Sequence, residues 1–411
     1  MKRLLLLSVL ASALFVTPAP AQELFAHLGA MKDALAEISG LEFTRDVPYA
    51  LITKEQFHNY LEQRLHETMK PADLHAEEVT LKMLGLIPPD YDLRQSTLDL
   101  LTEQAAAFYD YNKKKLFVLE GAGESDEERV ALVHELAHAL ADQHFHLAKY
   151  VQEGLRSDDA STARQAVMEG QATWLMAAYI SRAAGGDAAV PEAVLKAMAH
   201  SMEISAAQQY PVFSKAPPYI RESLVFPYAD GLLFQDAVYR KLGRAAFAEV
   251  FRRPPASTRQ ILHPEQYLDH VAPDIPALPS PPSAHAFKKL ADGTLGELDF
   301  RVLLSEYLDP GAGVALAAHL AGSSYEVLEH KHDKFDVLGV ASRWDSEDSA
   351  RQYFEQYRRV LKAKWKSLKI SGDSPASFQG RGDTGYFRVW IDGATVNQLE
   401  GWSSPEPLGI R

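Results

Sequence analysis

Apolar residues recur at helical spacing from Glu23 to Ser39, from Lys54 to Met69 and from Asp92 to Ala107. Between the first two, Val47 to Ile52 reads as a short strand, and between the last two, Leu84-Gly85-Leu86-Ile87-Pro88-Pro89 ends a further helix in a turn. Residues 22–106 therefore predict a mainly helical region, a lid or flanking wall for the core beyond residue 106. The period then shortens. Ala107 to Asn112 and Lys115 to Leu119 predict a strand pair or one bent strand. Immediately after it, Ser125-Asp126-Glu127-Glu128 reads as a capping box with Ser125 as N-cap and Glu128 at N3. Val130, Val133, Ala137 and Leu140 continue as the buried stripe of the helix so started. A second long helix is expected from about Asp158 to Ala184, with more helix over 190–207 and 229–252.

Pro273, Pro276, Pro279, Pro281 and Pro282 cannot all be accommodated in a helix or a central strand, so residues 271–286 read as a linker. It divides a core region, 107–270, from a C-terminal module, 287–411. The module predicts helices near 296–308 and 311–321, strands Tyr325–Lys331 and Phe335–Trp344, and a helix from Ser346 to about Lys366. It closes with strands Phe387–Ile391 and Ala394–Leu399 joined by Asp392-Gly393, a dipeptide suited to a type I′ turn. The expected class is α+β: a mainly helical core with a small edge sheet, and a small C-terminal α+β module. No internal repeat is present.

The N-terminus changes the picture of where the chain works. Met1-Lys2-Arg3, an apolar run from Leu4 to Val16, and Ala19-Pro20-Ala21 form a signal peptide over 1–21, predicting a mature chain that begins at Gln22 and is periplasmic or secreted. No other stretch approaches the roughly 20 apolar residues that a membrane span needs, so no stable membrane insertion is expected after cleavage. Loss of residues 1–21 takes away Lys2 and Arg3, so 42 basic residues become 40 against 55 acidic ones and the formal charge falls from −13 to −15. That balance argues against nucleic acid and anionic membrane as partners. Cysteine is absent, which excludes disulfides, thiolate metal sites and a cysteine nucleophile. Any metal must be held by His and carboxylate.

One pentapeptide supplies such ligands. His134-Glu135-Leu136-Ala137-His138 is HExxH on a helix. Residues i and i+4 share a face, so both imidazoles can reach one Zn²⁺ at about 2 Å, with Glu135 beside the water that completes the coordination. A catalytic zinc needs a third protein ligand. His144 stands at the spacing used by metzincins, but Ala141 occupies the position where that arrangement needs a glycine turn. Glu169, in Ala166-Val167-Met168-Glu169-Gly170-Gln171-Ala172-Thr173, is the stronger candidate. A carboxylate on an apolar helical face is costly unless paired or metal-bound, and Gly170 lets two helices approach closely. With His134, His138 and Glu169 on one zinc per chain, Glu135 would act as the general base of a hydrolase. Asp142, one turn beyond His138, could orient a ligand ring. Tyr228 first, and His263 second, are the side chains that could donate to an oxyanion.

These residues resemble the gluzincin metallopeptidases, the thermolysin-like clan, over roughly residues 107–252. More closely, His134 to Leu140 with Asp142-Gln143-His144-Phe145, Glu169 to Thr173, Pro254 to Thr258 and Leu262-His263-Pro264-Glu265-Gln266-Tyr267 are similar to a group of exported bacterial metallopeptidases of uncharacterised activity. The resemblance implies a zincin-like core, zinc on His134, His138 and Glu169, Glu135 as base, a peptide or protein as substrate, and the strand around Phe108–Val118 as the edge that pairs with substrate backbone. Gln171 stands where that pattern carries an acidic residue, and Ala318 to Ser324 lacks its Trp-Gly-Gly-Asp character. The competing reading is a cell-envelope binding or assembly protein on an inactive peptidase fold; a third is a zinc hydrolase acting on a non-peptide amide. Arg381-Gly382-Asp383 spells an adhesion tripeptide within a turn-forming stretch.

Overall fold

The computed structural model describes residues 27–68, 70–104, 107–120, 126–187, 189–279, 284–405 and 408. The segment 1–21 read as a signal peptide, and Ser125 read as the N-cap of a capping box, lie outside them. Helix α1 (Leu28–Ser39) buries Leu28, Met31, Leu35 and Ile38, and stops at Gly40, whose φ of 74° is left-handed. After β1 (Tyr49–Ile52), α2 (Lys54–Thr68) opens on a reciprocal cap in which Thr53 Oγ1 accepts from Gln56 N and Gln56 Oε1 from Thr53 N. Helices α3 (Pro71–Leu84) and α4 (Leu93–Gln104) complete the N-terminal wall. Strands β2 (Ala107–Asp110) and β3 (Lys115–Leu119) form a hairpin, with Asp110 Oδ1 accepting from the Asn112 and Lys113 amides in its turn. β1 joins β3 in parallel, giving a sheet of order β1-β3-β2 in which β2 is an edge.

The helical core follows as α5 (Asp126–Phe145), α6 (Leu147–Gly154), α7 (Asp158–Ala183), α8 (Glu192–Gln209), α9 (Pro211–Lys215), α10 (Pro218–Leu242), α11 (Ala246–Arg252), α12 (Thr258–Leu262) and α13 (Pro264–Leu268). α7 is capped by Ser157, whose Oγ accepts from Ala160 N. The pattern placed helix over 229–252. Instead α10 begins at Pro218, runs through Pro227 and stops at Gly243. An interior proline costs a helix about 3 kcal/mol or more; here Val225, Phe226, Leu232, Phe234 and Val238 are all buried by continuing, which outweighs it.

The C-terminal part comprises β4 (Phe287–Gly293), α14 (Glu297–Tyr307), α15 (Pro310–Ala317), β5 (Leu320–His330), β6 (Asp336–Trp344), α16 (Glu347–Lys364), β7 (Lys369–Asp373), β8 (Ser377–Gly382), β9 (Gly385–Asp392) and β10 (Thr395–Trp402). Its sheet is larger than the pattern indicated, with seven strands in the order β4-β5-β6-β10-β9-β8-β7. α16 lays Ala350, Tyr353, Phe354, Tyr357, Val360 and Leu361 into the core beneath it. A hairpin joins β9 and β10 as expected, but its two turn residues are Gly393-Ala394, with only Gly393 at positive φ (54°) and Asp392 closing β9, so the turn is not the type I′ turn on Asp392-Gly393 that the dipeptide suggested. β4, β7 and β8 were not legible. Two of them are edges, and β7 is almost wholly exposed, so it is held by backbone pairing and carries no alternating apolar signal. The adhesion-like tripeptide ends β8, and the Asp383 carboxylate accepts from the Lys366 and Ser367 amides at 2.7 and 2.8 Å.

The segment 271–279 has no helix or strand, and it is strapped to both sides. Gln260 Nε2 donates to Val271 O, Asp274 N to Ala321 O, and Ser324 Oγ to Pro276 O. One apolar cluster runs from Phe57 and Leu61 through Ala166, Phe226 and Phe234 to Val340, Tyr353 and Val396, joining the wall, the helical core and the large sheet. A buried ion pair reinforces that junction: Lys364 Nζ lies 2.9 Å from Glu400 Oε2 and also donates to Met83 O, while Tyr357 OH donates to Glu400 Oε1. Removing one member strands the other charge. Lys364→Met is expected to destabilise the protein by about 3–5 kcal/mol, and Lys364→Met with Glu400→Leu by clearly less; urea unfolding of the single and double variants measures the difference.

Candidate metal centre

α5 and α7 cross so that the HExxH face of one meets the middle of the other. His134 and His138 are one turn apart on α5 and almost perpendicular, their rings at 82°. Glu169 comes from α7 and is completely buried. Its Oε2 lies 3.1 Å from His134 Nε2 and 3.3 Å from His138 Nε2, and the two Nε2 atoms are 3.1 Å apart. Among the described residues this is the one cluster of three His or acidic side chains placed to hold a metal ion. Three donors converge on one point, and Glu169 Oε1, also buried, has no hydrogen-bond partner in the protein. His144, the alternative at metzincin spacing, is elsewhere: α5 continues helical through Ala141, and His144 Nε2 donates to Glu42 O at 2.8 Å.

The electrostatics are those of a buried anion with imidazoles for company. Burial alone would raise the Glu169 carboxyl, but the charge of His138 and hydrogen bonds from both imidazoles override it and hold it well below the usual carboxylate range. Burial lowers His134, against the pull of Glu169. Burial would lower His138 too, yet Glu169 wins and raises it to about 8. Glu135 is pushed up to about 8 by burial, with a hydrogen bond from Tyr109 N opposing.

Glu169 is placed by glycine. A Cβ on Gly170 would lie 2.1 Å from the Gly231 carbonyl carbon, and one on Gly231 would lie 2.3 Å from Ala166 O. α7 and α10 therefore touch backbone to backbone beside the ligand. Glu135 is placed by the sheet edge: its Oε2 accepts from Tyr109 N of β2 at 2.7 Å. Asp142 does not orient a ligand ring. Its Oδ2 accepts from Tyr109 OH at 3.0 Å and its Oδ1 from Leu147 N at 3.0 Å, so it ties β2 to α5 and caps α6.

The structure brings together His134, Glu135, His138, Glu169 and Tyr228. Tyr228 stacks on His134, with centroids 5.8 Å apart at 22°, and lines a cavity with His134 and Glu135. His263 is not in that group. Its Nε2 donates to the Glu297 carboxylate at 2.9 Å, a hydrogen bond that raises its pKa, and it faces the polar junction of α10, α12 and α14. Sequence reasoning missed Tyr109, Gly231, Thr173 and the methionines Met176, Met198 and Met202 of the cavity wall. Two signals were available: Thr173 is four residues beyond Glu169, and Met198 and Met202 are also at i, i+4. Gln171 is buried, with its Oε1 unpartnered. Ala318 to Ser324 closes α15 and opens β5, where Ser323 Oγ holds both Leu295 N and Leu295 O. The chain matches no protein-family model, no curated protein and no solved structure.

Gly170→Ala drives a methyl into the α10 backbone; it is expected to lose about 1–3 kcal/mol of stability or more, and to lower metal affinity by moving Glu169, measured by thermal unfolding with and without added Zn²⁺. At the neighbouring junction, burial raises the Asp230 carboxyl to about 6, against the charge of Arg301. The protonated acid is thus the form that the fold favours, so its contribution is full below pH 4 and is lost as pH rises to about 6. Asp230→Asn, which cannot ionise, is expected to gain stability relative to the parent across that window by up to ~3 kcal/mol, read from urea midpoints at pH 4 and pH 7.

Proposed function

We propose that this protein is a zinc-dependent metallopeptidase with a zincin-like core, of the gluzincin type that its motifs resemble. The observation that carries the reading is the spacing of the three donors. Four ligands set tetrahedrally at 2.0–2.1 Å from Zn²⁺ lie roughly 3.3 Å from one another, and the donors of His134, His138 and Glu169 are separated by 3.1, 3.1 and 3.3 Å. Two neutral imidazoles and a carboxylate are ligands that favour zinc. The unpartnered Glu169 Oε1 and the depth of the cluster support the same assignment.

When bound, Zn²⁺ supplies a Lewis acid that polarises a substrate carbonyl and makes water acidic near neutral pH. The rest belongs to the chain. Glu135, adjacent to the ligands and not one of them, takes the proton of the attacking water and delivers it to the departing amine. Tyr109 N–H holds one oxygen of that carboxylate, leaving the other to carry the proton. Tyr228, in the same cavity, is the donor for the developing oxyanion. β2 ends its sheet, and an extended substrate backbone would pair there as one added strand, through backbone groups other than the Tyr109 amide, which Glu135 already takes. His263, bonded to Glu297 and absent from the lining of the Tyr228 cavity, is assigned no step.

The signal peptide read at 1–21 supports an exported enzyme, and among the described residues no helix is long and apolar enough to cross a membrane. The reading is tested by metal and activity together. The mature chain is expected to hold about one zinc by elemental analysis, and His134→Ala and Glu169→Ala to lose most of it. Glu135→Gln is expected to keep zinc and to lose about 10²–10⁴-fold in peptide hydrolysis. Unchanged hydrolysis in both Glu135→Gln and His134→Ala would refute the reading.

A further inference from the structure

A cavity of about 230 Å³ opens between α8 and the HExxH helix, with His134 and Glu135 in its wall. The face that α8 turns to it is sorted. Met198, Met202 and Ala206 recur at i, i+4 and i+8 as one stripe, and Ser201, Ser205 and Gln209 form a second stripe beside it. The methionines are half-buried and the polar three are exposed, so the pocket has an apolar wall and a polar rim. Across from α8, Met176 and Val225 add apolar surface, and Thr173, 1% exposed, has an Oγ1 with no hydrogen-bond partner in the protein.

Size and chemistry narrow the occupant. An apolar cavity of about 150 Å³ already admits benzene, whereas drug-sized ligands need about 300 Å³ or more. Near 230 Å³, the space suits one large apolar side chain. Flexible thioethers adapt to several such shapes and reject charge. A buried unpartnered hydroxyl is unfavourable, and a peptide group entering beside the side chain would supply its partner.

Resting on the metallopeptidase reading, we propose that this cavity is the specificity subsite for a residue flanking the scissile bond. It selects leucine, methionine or phenylalanine there, Met202 sets its depth, and Thr173 hydrogen-bonds the substrate backbone at its inner end. Neither residue touches the reacting atoms; both determine which peptide is held.

The test uses the zinc-loaded mature chain with a defined peptide mixture, cleavage sites and kcat/KM being read by mass spectrometry. Cleavage beside Leu, Met or Phe is expected to exceed cleavage beside Ala or Asp by about tenfold or more. Met202→Phe, which shallows the pocket, is expected to move the preference about tenfold toward smaller residues, and Met202→Ala to move it toward Phe and Trp. Because the two variants change volume in opposite directions, a general loss of folding cannot mimic the pair of shifts. Thr173→Val is expected to lower kcat/KM about tenfold for every peptide with the preference unchanged, and Thr173→Ser to restore it. Cleavage without side-chain preference, or a preference that neither Met202 variant moves, overturns the subsite and leaves the peptidase reading intact. A chain that holds its zinc and cleaves no peptide overturns both.

Discussion

The Glu169 carboxylate has no exposure to solvent at all, and an ionised carboxylate in that position is tolerable only if positive charge or strong donors surround it. Much of the local structure is arranged around that demand. Two imidazoles from α5 converge on one of its oxygens, and its other oxygen is left without a protein partner. Without an ion the carboxylate leans on His138, whose charged form it favours against burial, while burial keeps His134 from charging. The same arrangement is well suited to a divalent cation, which neutralises the carboxylate without requiring either ring to be protonated.

Holding the carboxylate there requires three elements to meet within a few ångströms. α5 offers His134 and His138, α7 offers Glu169, and α10 presses on α7 through the Gly170–Gly231 contact, where no side chain fits on either residue. β2 completes the frame from the other side of α5. Tyr109 binds Glu135 with its amide and Asp142 with its hydroxyl, so a single edge-strand residue fixes the proposed base and the far end of the HExxH helix together. Trp174, fully buried, donates to Asp236 at 3.1 Å, pinning α7 to α10 about a turn beyond Glu169.

How much of this was legible in the sequence depends on whether the information is local. The HExxH helix, the hairpin before it and the helix bearing Glu169 carry their own periodicity and spacing, so Asp158 could be placed as a helix start and Glu169 as a ligand candidate without knowledge of the fold. Features that arise from meetings between distant segments were not accessible. Tyr109 looks like one aromatic strand residue among several; that its amide faces Glu135 depends on the sheet edge lying against α5. Gly231 carries no mark of its partner until α7 is laid across it. His263 shows the opposite failure, a histidine whose neighbourhood in sequence invited a catalytic role, while its partner, Glu297, lies beyond the proline-rich segment. The edge strand β7 escaped for a third reason: Lys369-Ile370-Ser371-Gly372-Asp373 is stabilised by pairing with β8 and buries almost nothing.

The large C-terminal sheet bears on the chemistry through α7. That helix begins with Asp158 and Asp159, both buried, and both are held from beyond the proline-rich segment or just before it. Tyr325 OH of β5 donates to Asp158 Oδ2 at 2.9 Å, and Thr258 gives Asp159 Oδ1 its amide and its hydroxyl at 2.7 and 2.6 Å. Thr294 Oγ1 accepts from Asp159 N and shares a hydrogen bond with Ser157 Oγ, the N-cap of the same helix. Gly293 and Gly296 leave room for these carboxylates, since a Cβ on either would lie within 2.0 Å of a carboxylate oxygen. Negative side chains at a helix N-terminus are favourable in their own right, and here they also clamp α7 to the sheet about three turns before Glu169. Because that clamp sets the position of Glu169 along the helix axis, the C-terminal sheet acts as the abutment against which the His134-His138-Glu169 cluster is assembled.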